Sequence, residues 1–105
     1  MEKVGVILAN WNGAEFTIPC IESLSQSDYP DFVTIVVDDG STDDSPAQIT
    51  RRFPNLELLR QSTNLGLSQA RNRGMERALE LRCDYVMILD NETRVLVLIT
   101  ECSPC

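Results

Sequence analysis

Short apolar runs that stop abruptly at polar residues alternate along this chain with amphipathic stretches of helical period. Val4 to Ala9 is such a run, halted by Asn10-Trp11-Asn12-Gly13, and it predicts a strand buried on both faces with a turn after it. Thr34 to Val37 repeats the pattern and stops at Asp38-Asp39-Gly40. Leu56 to Leu59 predicts a third strand and Tyr85 to Leu89 a fourth, which ends at Asp90. Val95 to Ile99 is apolar enough for a fifth, whereas Thr100 to Cys105 has no assignable period. Between these runs, Phe16, Cys20 and Leu24 recur at every fourth position and predict a helix with Pro19 in its first turn. Ser45-Pro46 supplies an N-cap and an N1 proline for a second helix that buries Ile49 and Phe53. Leu67, Ala70, Gly74, Ala78 and Leu81 mark one face of a third, with small residues that permit close packing on a sheet.

Strands alternating with helices specify an α/β fold: a mainly parallel sheet, flanked by helices and joined by right-handed crossovers. In such sheets ligands bind beyond the C-terminal ends of the strands. The polar residues that terminate the apolar runs are therefore the candidate site. With 105 residues and no linker or repeat, the chain fits one domain.

Composition narrows the chemistry. A net charge of -7 argues against non-specific binding to nucleic acid or anionic lipid. A phosphate ligand would need a local arginine or a divalent cation held by carboxylates. Histidine is absent, which excludes Ser-His-Asp and Cys-His centres and histidine-ligated zinc within the chain. Cys20, Cys83, Cys102 and Cys105 do not form the dense framework of a small secreted domain, and imply a reducing compartment. Cys102-Ser-Pro-Cys105 has C-x-x-C spacing without the strand-to-helix context that redox chemistry uses. No apolar run reaches the roughly 20 residues that span a bilayer, so no membrane insertion of this chain is expected.

Asp38 and Asp39 leave the second strand on opposite sides, and Asp39 is the one assigned to the ligand crevice, where it can accept hydrogen bonds from a base N-H or ribose hydroxyls. Read alone, Asp38 to Asp44 is equally a turn rich in capping residues. Arg71 lies in the first turns of the third helix, near N-H groups that favour anions, although a solvated basic face gives the same pattern. Asp90 and Glu92 end the fourth strand with carboxylates that can converge on magnesium or manganese, where a lone acid-x-acid triplet is ordinarily a surface turn. Trp11 can stack on a base or pack against its own turn, and Ala9 and Asn10 can approach a base through their backbone groups.

In order, Val6 to Gly13, Val36 to Asp43, Asn64-Leu65-Gly66 with Ala70 to Gly74, and Leu89 to Glu92 resemble family 2 glycosyltransferases over residues 4 to about 94. The resemblance implies a Rossmann-like GT-A nucleotide-binding half and a nucleotide-diphosphate-sugar donor. It also implies a divalent metal (Mn or Mg) and transfer, with inversion, to a glycan or lipid-linked acceptor. By position it makes Asp39 the nucleoside-binding acid, Arg71 a nucleotide contact, and Asp90 with Glu92 the D-x-D metal motif, glutamate replacing the usual second aspartate. It implies a cytoplasmic location, peripheral at the inner face of the membrane in a full-length form, and polysaccharide assembly as the setting. Residues 95–105 depart from the family, and the general base of its acceptor half finds no counterpart. The expectation is a donor-binding portion, 1–94, with an atypical tail that suggests truncation. The alternative is a non-catalytic nucleotide-binding remnant. Loss of later strands would expose a sheet edge and invite self-association. A phospho-receiver domain fits poorly, since Asn10-Trp11-Asn12 stands where that fold resembles an acid pair and the one lysine is Lys3.

Overall fold

The computed structural model describes residues 3–26 and 31–89 in full, and 97–101 in backbone alone. The elements follow as β1 (Val4–Asn10), α1 (Ala14–Ser25), β2 (Phe32–Asp39), α2 (Ser45–Arg52), β3 (Glu57–Gln61), α3 (Leu67–Glu80), β4 (Tyr85–Leu89) and β5 (Val97–Glu101). They build one sheet in the order β3-β2-β1-β4-β5. β1 pairs in parallel with β2, from Val4 opposite Phe32 to Asn10 opposite Asp38, and with β4, from Val4 opposite Tyr85 to Leu8 opposite Leu89. β2 and β3 are also parallel, whereas β5 returns antiparallel along β4. The chain thus steps outward from β1 to β3, then crosses back over the sheet through α3 to β4. That reversal beside β1 opens a crevice at the C-terminal strand ends.

Alternate strand residues separate two cores. Ile7, Ile35, Val37 and Val86 face one side with Ala70, Ala78 and Cys83, while Leu8 and Val36 face the other with Cys20, Ile21 and Ile49. α3 lies close enough to the sheet that a Cβ added to Gly74 would meet Ile7 Cγ2 at 2.6 Å and Val37 Cγ2 at 3.3 Å. The small-residue stripe of Ala70, Gly74 and Ala78 is therefore a contact requirement. Arg77 on the same helix reaches across to Glu57 of β3, with Nε 2.9 Å from the carboxylate.

Several local expectations are corrected. α1 buries Ala14, Thr17, Cys20 and Ile21, which leaves Phe16 48% exposed. Pro19 lies inside that helix, not in its first turn. It removes the N-H that would bond the carbonyl of Glu15, and both residues sit on the exposed side, where water can satisfy that group. Asp44 takes the N-cap position of α2, and Ser45 becomes its buried first residue. Leu67, expected on the packed stripe, is 51% exposed.

Gly74→Val forces two methyl groups into the α3–sheet contact. The variant should lose about 1–3 kcal/mol of unfolding free energy, more than the few tenths gained in helix propensity. A urea midpoint equal to that of the parent chain would contradict the close packing.

Candidate functional site

The rim of the sheet is organised by the last two residues of β2. Asp38 is fully buried and accepts hydrogen bonds from Asn10 Nδ2 at 2.9 Å, Ser41 N at 3.0 Å and Ser41 Oγ at 2.6 Å. Asn10, itself 1% exposed, accepts the Thr17 hydroxyl at 2.6 Å through Oδ1 and donates to Ser45 Oγ at 3.2 Å. Asn12 adds a second clasp. Its Oδ1 accepts the N-H of Thr42 at 2.8 Å and of Asp43 at 3.2 Å, while its own N-H donates to Ser41 Oγ at 2.9 Å. It holds a φ of 47°, a left-handed conformation that Asn tolerates better than most residues. Together these bonds join the β1–α1 connection to the β2–α2 connection. The Ser45 hydroxyl and then the Ser45 N-H donate to Asp43, and hold its carboxyl below the usual aspartate range.

Asp39 points the other way. Its Oδ1 accepts Gln61 Nε2 at 2.8 Å and the N-H of Leu65 at 2.8 Å, and its Oδ2 accepts the N-H of Gly66 at 3.0 Å. The anion closest to the start of α3 is thus a carboxylate of the protein itself. Gly40 follows with φ at 74°, and a Cβ there would overlap the backbone of Thr63 and Asn64, so only glycine lets the two connections approach this closely.

A cavity of about 480 Å³ lies over this rim. Ala9, Asn10, Trp11, Asp39 and Arg71 all line it, so the described candidates meet on one surface. Trp11 is 54% exposed at its edge, and Phe16 and Leu67 complete an apolar margin. The Asn10 side chain is consumed by the buried network, which leaves its backbone as the part available to a ligand. Arg71 has no ion-pair or hydrogen-bond partner among the described residues and is the one cation on the lining. Asp90 and Glu92 lie outside the described residues; Leu89, which precedes them, lines the cavity. Among the described residues no group of three or more His, Cys, Asp or Glu is placed to hold a metal ion. Asn12, Phe16, Thr17, Ser41 and Gln61 are not marked as site residues by the sequence pattern. Asn12 sits in the quoted Asn10 to Gly13 turn, and its turn chemistry was the one available signal.

The sequence model of glycosyl transferase family 2 matches residues 5–95. The teichoic acid poly(glycerol phosphate) polymerase of Staphylococcus epidermidis is 33% identical over 94 residues, covering 86% of this chain and 13% of its own. The uncharacterized glycosyltransferase YibD of Escherichia coli is 34% identical over 96 residues, covering 89% of this chain and 27% of its own. Among solved structures, the mannosyltransferase PcManGT from Pyrobaculum calidifontis in complex with GDP-Man and Mn2+ matches with a TM-score of 0.76 at 27% identity, over 86% of this chain and 27% of that one. S. aureus TarS in complex with UDP-GlcNAc matches with a TM-score of 0.75 at 29% identity, over 86% of this chain and 26% of that one. The GT-A-type fold expected from the sequence agrees with these neighbours. The chain spans well under a third of the length of each of these relatives.

Asp38→Ala strands the buried donors of Asn10 and Ser41, and should cost about 2–3 kcal/mol in urea unfolding. A change of a few tenths would show that the network is not holding the rim. Asp43 gives a pH dependence of definite sign. Because its folded value is depressed, its contribution is complete above the unfolded value of about 3.9 and is lost as pH falls through the folded one. Asp43→Asn should therefore be less stable than the parent chain at pH 6, and the two should converge in acid. Parallel stability curves would disprove that coupling.

Proposed function

The chain belongs to glycosyl transferase family 2, and from that premise we propose that the rim crevice receives the nucleotide diphosphate of a sugar donor. The observation that carries this reading is that Asp39 and Arg71 line the same cavity, with no ion pair between them. An acceptor and a charged donor on one lining suit a nucleoside, whose base and ribose present both kinds of group. Trp11 offers a face for stacking, and Ala9 and Asn10 offer backbone groups at the same strand end.

Asp90 and Glu92 are assigned to the metal. Their hard carboxylate oxygens fit manganese or magnesium, and the bound cation would neutralise the diphosphate and stabilise charge on the leaving group. The neighbours that hold GDP-Man with Mn2+ and UDP-GlcNAc support the donor class. On this reading residues 1–94 are the donor-binding unit, 95–105 lie outside it, and transfer with inversion goes to a glycan or lipid-linked acceptor. A cytoplasmic setting, peripheral to the membrane in a longer form, accompanies it. Among the described residues no helix is long and apolar enough to cross a membrane. The alternative is nucleotide binding without transfer.

Calorimetry with UDP and GDP in the presence of manganese tests the first reading. Binding of one nucleotide is expected, weakened about tenfold or more by Asp39→Ala and by Asp90→Ala, a loss of at least ~1.4 kcal/mol. Affinity unchanged by removing manganese would refute the metal assignment, and no binding of either nucleotide would refute the reading. Donor turnover in the presence of acceptor then separates transfer from binding alone.

A further inference from the structure

We propose that Gln61, the last residue of β3, is a positioning residue that aims Asp39 by filling one of its oxygens and leaving the other for the ligand; the proposal rests on the donor-site reading above. Asp39 and Gln61 are direct partners across the β2–β3 pairing, and their side chains meet at 2.8 Å. A carboxylate has about four acceptor positions, two on each oxygen. Oδ1 receives Gln61 Nε2 and the N-H of Leu65, which occupies it fully. Among the described residues Oδ2 receives only the N-H of Gly66, which is shared with Asn64 Oδ1 at 3.1 Å, so one position remains there for an N-H or O-H of the nucleotide.

Two features make Gln61 the fixed member of this set. Leu65 and Gly66 donate from a connection whose Gly66 holds φ at 101°, whereas Gln61 is anchored in the sheet ladder. Gln61 does not line the cavity, and so acts through Asp39. Its neutrality matters as well. The preceding pair in the ladder sets Arg60 near Asp38, with Nε 3.8 Å from the carboxylate, on the side where no ligand is expected. An amide at position 61 orients the crevice-facing acid and leaves its charge uncancelled.

The isosteric variant separates positioning from packing. Gln61→Leu removes one donor to a charged acceptor, and should raise the Kd for UDP or GDP, measured by calorimetry with manganese, about tenfold. Gln61→Glu keeps the shape but sets a second carboxylate against Asp39, and should cost more than Gln61→Leu. Glutamate tolerated as well as or better than leucine would overturn the proposal, as would a Kd unchanged in both. Amide hydrogen exchange at Leu65 and Gly66 gives a readout without ligand, since both amides should exchange faster in Gln61→Glu than in the parent chain. Unchanged exchange overturns the proposal even if no nucleotide binds, whereas accelerated exchange without nucleotide binding in the parent chain would refute the donor-site reading alone.

Discussion

Two adjacent carboxylates at the end of an extended strand must point to opposite faces of the sheet, and the architecture of the rim depends on that. Asp38 is fully buried, so its charge is tolerable only where hydrogen-bond donors surround it. Asn10 and Ser41 supply them, and in doing so fasten the connection after β1 to the connection after β2. Asp39 turns its oxygens to the connection after β3. Three separate connections are therefore held together through neighbouring side chains of one strand. The crevice walls are set by the sheet itself more than by the connections.

The same constraint explains Gly40. Once Asp39 binds the amides of Leu65 and Gly66, the chain beyond β2 has to pass against Thr63 and Asn64, where a side chain has no room. Glycine at positive φ resolves the turn and the close approach together. A similar economy of volume operates beneath the site, where Gly74 brings α3 down on Ile7 and Val37. That contact places the first turns of α3, and Arg71 with them, over the strand ends. Packing in the core thus determines where the guanidinium stands.

The sheet was legible because strands buried on both faces leave continuous apolar runs, and Tyr85 to Leu89 matches β4 in full. At their C-terminal ends β1, β2 and β3 run beyond the apolar pattern for one physical reason. The apolar pattern ends where side chains become polar, but the backbone ladder continues through Asn10 opposite Asp38 and Asp39 opposite Gln61. Gln61 was thereby placed outside its strand, and its relation to Asp39 was hidden. Phe16 misled differently: its spacing from Cys20 and Leu24 is helical, yet Ala14, Thr17 and Ile21 form the face that packs. A spacing of four cannot by itself tell which of two neighbouring helix faces is buried. The choice of Asp39 over Asp38 for the crevice followed from strand alternation and agrees with the cavity lining. The bonds from Thr42 to Asn12 and from Asn10 to Ser45 join residues 30 and 35 positions apart, and no local pattern announces them.

In the crevice, Asp39 and Arg71 bring opposite charges to one lining in a chain of net charge -7, and Trp11 and Phe16 add apolar surface. Such a locus suits the uncharged part of a nucleotide, because a diphosphate there would face a carboxylate with a single guanidinium in compensation. On the donor-site reading proposed above, the phosphates belong toward β4, whose Leu89 lines the cavity and precedes Asp90 in sequence. Carboxylates repel phosphate unless a cation stands between them. If Asp90 and Glu92 face the diphosphate as proposed, the metal is needed for electrostatic reasons before any question of catalysis arises.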